Sequence, residues 1–142
     1  MSTELIATRA LTNLERVKTR LSIDNANSDT LIERLIMGVT EHLESLCNRR
    51  FSEATYTNEI YSIAAGGMDM LALKQTPVTV LTSLSYRLGT PSVPSWTLYS
   101  ADDYELVNDG KSGLVRVYGG LYRGSNTVRA TYTAGYKIDF AN

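Results

Sequence analysis

Residues 30–51 read TLIERLIMGVTEHLESLCNRRF, and apolar side chains recur in this stretch every three or four positions. Such spacing places them along one side of a helix of about five turns, because an α-helix repeats every 3.6 residues. Asp29 suits the positive end of the helix dipole, and Asn27 or Ser28 can cap the first turn. We therefore predict a long helix over about residues 28–50. Its apolar positions are Leu31, Ile32, Leu35, Ile36, Val39, Leu43, Leu46 and Cys47.

A second, shorter helix is predicted before this one, over about residues 12–21. Thr12 and Glu15 fit the Ser/Thr-x-x-Glu capping box, in which two side chains satisfy free N–H groups at a helix start. Leu14, Val17 and Leu21 follow at helical spacing and form one apolar stripe.

After Phe51 the hydrophobic period changes to two, and β-branched and aromatic residues become frequent. Val128, Ala130 and Tyr132, for example, alternate with polar residues, as in a strand with one buried face. The fold class predicted is α+β, with the N-terminal helices packed on a mainly antiparallel β-sheet or small sandwich over about residues 54–136. The length fits one domain of residues 1–142, with a helical part at 1–51 and a β-rich part at 52–142.

Composition and charge narrow the function. The 14 basic and 15 acidic residues give a net charge of -1, so the basic excess that holds DNA tightly through its phosphates is missing. One cysteine cannot form an internal disulfide, and the N-terminus lacks the order of a signal peptide, which favours a reducing cytoplasm. No apolar run reaches the roughly 20 residues that cross a bilayer, so we expect no membrane role.

The residues that most often carry chemistry are sparse. His42 and Cys47 are five positions apart on the predicted helix, about 140° around its axis, so they cannot act as a nucleophile and its base. One histidine and one cysteine are also too few for a metal site. Cys47 is predicted to be a small buried residue, and Asp102 and Asp103 to lie in a turn. We expect no catalytic residue, no cofactor and no metal.

Three residues are predicted to contact protein partners. Arg49 and Arg50 stand at the negative end of the long helix, where they are either a solvated helix terminus or a partner contact. Trp96 and nine tyrosines give a sheet-rich chain the amphipathic aromatic side chains that are favoured at protein interfaces. Arginine and tryptophan most often anchor such interfaces, so Arg49, Arg50 and the loop around Trp96 are the candidates.

Several segments, taken in order, resemble the head-tail connector, or adaptor, proteins of long-tailed double-stranded DNA phages. The most specific is the ending TYTAGY at residues 131–136. The segments are LERVKTRLSID at 14–24, Asp29, NRRF at 48–51, LAL at 71–73, TPV at 76–78, DDYE at 102–105 and VRATYTAGY at 128–136.

The resemblance implies a structural role in the virion. Family members form a ring, usually of about twelve subunits, below the portal at the capsid vertex, where they continue the DNA channel toward the tail. The implied partners are the portal, the next neck or tail protein, copies of the chain itself and, transiently, the passing DNA. The implied location is the phage neck, after synthesis in the host cytoplasm. Family members continue into further helices after the last strand, whereas this sequence ends at Asn142.

Three alternatives stay open at this point. Another neck or tail component, such as a stopper or tail-completion protein, would have the same kind of sequence. A small enzyme or ligand-binding domain would need a concave polar cluster, which the sequence does not indicate. A DNA-binding regulator would present several basic or amide side chains on one helix face, whereas the long helix carries Glu33, Arg34, Glu41 and Glu44.

Overall fold

The computed structural model describes residues 9–64 and 67–139, which fall into two compact units. The helical unit comprises Met1–Glu53 and Tyr136–Asn142, and the β unit comprises Ala54–Gly135. The two predicted helices and the antiparallel sheets are present, so the α+β class is confirmed. The expectation of a single domain stays a prediction.

The helical unit contains α1, Leu14–Leu21, and α2, Asp29–Cys47. The residue that caps α1 is Asn13, whose side-chain oxygen accepts a hydrogen bond of 2.9 Å from the Arg16 N–H. The sequence predicted Thr12 as the cap, one residue before the residue that caps the helix. The acceptor is the side-chain amide oxygen of Asn13 rather than a threonine hydroxyl. Helix α2 ends three residues before the predicted boundary, because Asn48 adopts the left-handed conformation that closes a helix.

The core of the helical unit lies on one side of α2, where Ile32, Ile36 and Met37 are buried together with Ala10. Two polar residues of α2 are also buried, Thr40 and Glu44. The Glu44 carboxylate accepts hydrogen bonds from the Arg9 guanidinium at 2.7 and 3.0 Å and from the Phe51 N–H at 3.1 Å. Thr40 Oγ1 accepts from the Leu11 N–H at 3.3 Å and donates to the Ile36 carbonyl at 2.8 Å.

These polar anchors fix which side of α2 faces inward, and much of the predicted apolar side faces outward. Leu31, Leu35, Val39 and Leu46 are exposed by 60%, 59%, 59% and 70%. The prediction that Cys47 is buried is wrong, because the core occupies the neighbouring side of the helix and Cys47, its last residue, is exposed.

The described residues of the β unit form seven strands in two antiparallel sheets, ordered β1-β7-β3-β4 and β2-β6-β5. Leu71, Val115 and Val117 of the small sheet share one core with buried residues of the large sheet, such as Leu84 and Val128. Two sheets around one core form a small sandwich. The strands are β1 Ala54–Ile63, β2 Met70–Ala72, β3 Val78–Thr90, β4 Val93–Leu98, β5 Tyr104–Leu106, β6 Leu114–Val117 and β7 Gly124–Ala134.

Candidate interaction surfaces

Helix α2 exposes a row of large apolar side chains. We call it the α2 apolar face and define it by Leu31, Leu35, Val39, Leu43 and Leu46, which are 38–70% exposed. Beside it a groove of about 280 Å³ runs between α1 and α2. Its lining includes Leu11, Val17, Leu21, Ile32, Leu35, Ile36, Val39 and Leu43.

Sequence reasoning missed this surface, although a signal was present. At 100° per residue, the eight apolar positions predicted for the long helix cover an arc of about 160°. A helix that only rests on a core needs an apolar stripe of about 100°. The additional width indicates a second apolar contact beyond the core of its own unit.

Arg49 and Arg50 lie just beyond the end of α2, and both are half-buried. The Arg49 guanidinium stands over the ring of Phe51 at 5.0 Å and near that of Tyr136 at 5.8 Å. The Arg50 Nε donates a 3.0 Å hydrogen bond to Ser52 Oγ. The pair is therefore positioned by contacts within its own unit, and a partner contact there stays a prediction.

Trp96 lies on β4, at the edge of the large sheet, and is half-buried. The Arg129 guanidinium stands 4.5 Å from the centre of its ring, a favourable cation–π distance. Arg87 is the cross-strand neighbour of Trp96 and donates a 3.1 Å hydrogen bond to the Ser125 carbonyl. Within residues 9–64 and 67–139, the buried Nε atoms of Arg87 and Arg129 have no hydrogen-bond partner. Arg87 and Arg129 are thus neighbours of Trp96 in the β unit. Arg49 and Arg50 belong to the helical unit.

A partly buried polar cluster in the β unit was not predicted from the sequence. The Glu59 carboxylate accepts hydrogen bonds from the hydroxyls of Tyr61 and Tyr132, the latter at 2.5 Å, and Lys74 Nζ lies 3.5 Å from its other oxygen. Burial, and then the hydrogen bond to Glu59, raises the pKa of Tyr132 to about 12. Burial also raises the pKa of Tyr61. Both phenols stay neutral and donate to the same carboxylate. Because Tyr61 and Glu59 lie on β1 and Tyr132 lies on β7, these bonds hold the two strands together, and we assign the cluster a structural role.

The remaining candidates for chemistry are separated or exposed. His42 and Cys47 are both on the surface of α2. Among the described residues there is no group of three or more histidine, cysteine or acidic side chains that could hold a metal ion. Asp102 and Asp103 occupy a short 3-10 turn, as predicted. No helix in the described part of the chain is long and apolar enough to span a membrane.

The N-terminal elements can be compared with known proteins. Residues 11–74 match the model of the phage gp6-like head-tail connector protein family. The matched residues contain α1, α2, β1 and β2, so these elements are similar to the corresponding part of that family. The match confirms the resemblance drawn from the sequence motifs. A search of curated proteins found no match.

Proposed function

We propose that this chain is a structural protein of the phage neck, without enzymatic activity. Copies of it form a ring of about twelve that joins the portal of the DNA-filled head to the tail and continues the DNA channel. The observation that carries this proposal is the match of residues 11–74 to the head-tail connector family. The implied location is the virion, after synthesis in the host cytoplasm.

Two structural features support a role in assembly. A ring of identical subunits needs two different patches on each subunit, because its contacts are heterologous. The helical unit exposes the α2 apolar face, and the β unit exposes aromatic and cationic groups around Trp96. The balanced charge also suits a channel, since many fixed phosphate contacts would oppose the sliding of DNA.

The direct test is an electron cryo-microscopy map of the assembled virion at a resolution that shows side chains. We expect density for this chain in a closed ring between the portal and the tail. Density at another level of the neck would instead identify a stopper or tail-completion protein. Absence of this chain from the virion would contradict the proposal.

A mutational test addresses Arg49 and Arg50. The double variant Arg49→Glu/Arg50→Glu loses the cation–π contacts of Arg49 with Phe51 and Tyr136 and the hydrogen bond from Arg50 to Ser52. Each of these is worth about 1 kcal/mol, so we expect the chain still to fold. We expect filled heads and free tails to accumulate without joining. The matched control is Lys111→Glu/Arg123→Glu, which makes the same charge change at exposed positions. Normal infectious particles from the Arg49/Arg50 variant would show that the pair is only a helix terminus.

A further inference from the structure

The face of the large sheet that points away from the core carries two arginines. Arg129 lies on this face because Val128, its neighbour on β7, is fully buried in the core. Ser85 is paired opposite Arg129, so Arg87, two residues further along β3, lies on the same face. We call Arg87, Trp96 and Arg129 the arginine patch.

Most hydrogen-bond donors of these two arginines have no acceptor in the described part of the chain. A guanidinium carries five N–H donors. Arg87 uses one of them, in its bond to the Ser125 carbonyl, and the Arg129 guanidinium contacts the ring of Trp96 without a hydrogen bond. Their Nε atoms are buried and have no partner there. Because buried polar groups in proteins are nearly always hydrogen-bonded, the unused donors indicate an acceptor outside the chain.

The acceptor that fits this patch best is a carboxylate of another protein chain. Neither Arg87 nor Arg129 forms an ion pair within residues 9–64 and 67–139, and a planar guanidinium matches a carboxylate or a phosphate. Binding of DNA uses a longer row of cations and free aromatic faces, whereas Arg129 already covers one face of Trp96. The exposed side chains of Ile60 and Leu98 flank the patch on the same face, and arginine among apolar groups is typical of protein interfaces.

Carboxylates without a cation stand at one end of the small sheet. Asp102 and Asp103 are exposed in the 3-10 turn before β5, and neither forms an ion pair with another described residue. The Asp103 carbonyl accepts a 2.7 Å hydrogen bond from the Tyr118 N–H, which fixes the turn to the end of β6. Asp69 stands at the same end, because its carbonyl accepts a 2.7 Å bond from the Val117 N–H. The acidic end, defined by Asp69, Asp102 and Asp103, therefore offers the ligands that the arginine patch lacks.

We propose that the arginine patch of one copy binds the acidic end of the next copy, with Arg87 and Arg129 donating to the carboxylates of Asp102 and Asp103. The patch belongs to the large sheet and the acidic end to the small sheet, so two different surfaces of each copy take part. Such a contact is heterologous and repeats from copy to copy, as a closed ring requires. The contact rests on the ring of the proposed function and assigns side chains to its subunit interface.

The first test follows the yield of infectious particles after charge changes at both surfaces. Asp102→Lys/Asp103→Lys changes only exposed side chains, and we expect at least about a hundredfold loss, because like charges then face each other. Arg129→Gln should lower the yield about tenfold in the wild type but raise it about tenfold in the Asp102→Lys/Asp103→Lys background, since it removes a repelling charge. A variant that merely destabilises the fold would lower the yield in both.

The matched control is Glu15→Lys/Asp24→Lys, which makes the same charge change at exposed positions of the helical unit and should leave the yield unchanged. Thermal melting followed by circular dichroism checks that each purified variant is folded. A normal yield from Asp102→Lys/Asp103→Lys, or a loss with Arg129→Gln in both backgrounds, would overturn the proposal.

The virion map provides a second test that needs no variant. We expect the Arg129 guanidinium of each copy within about 4 Å of a carboxylate of Asp102 or Asp103 in the next copy. A ring in which the arginine patch faces DNA, a different protein or solvent would overturn this contact and leave the connector role in place. Absence of a ring would remove that part of the proposed function and the contact together.

Discussion

Replacing Glu59 by alanine is expected to cost more stability than its partly exposed position suggests. The hydroxyls of Tyr61 and Tyr132 both donate to its carboxylate, and these two residues are only 9% and 0% exposed. In Glu59→Ala both hydroxyls lose this acceptor inside the β unit. The two hydroxyls also share a hydrogen bond, so one donor is left without an acceptor. An unsatisfied buried polar group costs about 1–3 kcal/mol, and we expect a loss of that size in the free energy of unfolding.

The ion pair with Lys74 contributes much less. Lys74 Nζ lies 3.5 Å from Glu59, and the lysine side chain is 59% exposed. Exposed ion pairs are worth roughly 0–1 kcal/mol, because water screens them. Lys74→Met is therefore the matched control, and we expect it to lower stability by less than about 1 kcal/mol.

Urea denaturation followed by Trp96 fluorescence and circular dichroism measures these differences. A double-mutant cycle with Tyr132→Phe isolates the hydrogen bond, since phenylalanine keeps the ring that stacks on Tyr56 at 5.3 Å. We expect a coupling energy of at least about 1 kcal/mol between Glu59→Ala and Tyr132→Phe. Additive effects, or a loss for Glu59→Ala no larger than that for Lys74→Met, would refute the assignment of the stabilisation to the phenol–carboxylate bonds.

Two further predictions concern stability. Glu44→Ala should lower the free energy of unfolding by about 2–4 kcal/mol, because it removes both close bonds to the Arg9 guanidinium and leaves the Phe51 N–H without its acceptor. Arg9 then keeps only its exposed 3.5 Å contact with Glu41, so Glu41→Ala should cost less than about 1 kcal/mol. Equal losses would contradict this. The raised pKa of Tyr132 means that the unfolded chain loses its phenol proton first, so stability should fall from about pH 10 to about pH 12. Tyr132→Phe should flatten that fall in urea denaturation at each pH, and an unchanged slope would exclude Tyr132 as a source.

Elements governed by local periodicity could be predicted from the sequence. The spacing of Val128, Ala130 and Tyr132 predicted one buried face for the last strand, and all three are fully buried on β7. The long helix was predicted with its start within a residue and its end within three. In these segments the side-chain period and the backbone period agree, so one pattern determines both the element and its buried face.

Irregular pairing was not predictable in the same way. Strict alternation would place Val80 on the same face of β3 as Leu84, yet Val80 is 54% exposed and Leu84 is fully buried. The register of β3 against β7 shifts between Val78 and Val80 and again between Leu81 and Ser83. Each such irregularity displaces the alternation by one residue, and its position depends on the partner strand.

The candidate sites also divide into features that follow from local sequence and features that depend on strand pairing. Arg49, Arg50 and Trp96 could be named because their residue types are frequent at interfaces. Their surroundings could not, since the guanidinium over Trp96 belongs to Arg129, on a strand that pairs with β3 and not with β4 itself. The bond between Glu59 and Tyr132 likewise joins residues 73 positions apart. Such contacts depend on sheet order and register, which a single sequence leaves open.

Helix α2 is held in an orientation that is costly for an isolated chain. Thr40 and Glu44 are buried on its inner side, while Leu35 and Val39 face water. Apolar burial stabilises by about 25 cal/mol per Å², so turning the leucines inward would favour a chain that functions alone. The bonds of Glu44 to Arg9 and to the Phe51 N–H instead hold the polar side inward. A helix fixed in this orientation recovers its apolar burial only when another surface covers Leu35 and Val39, as expected for a subunit that works in an assembly.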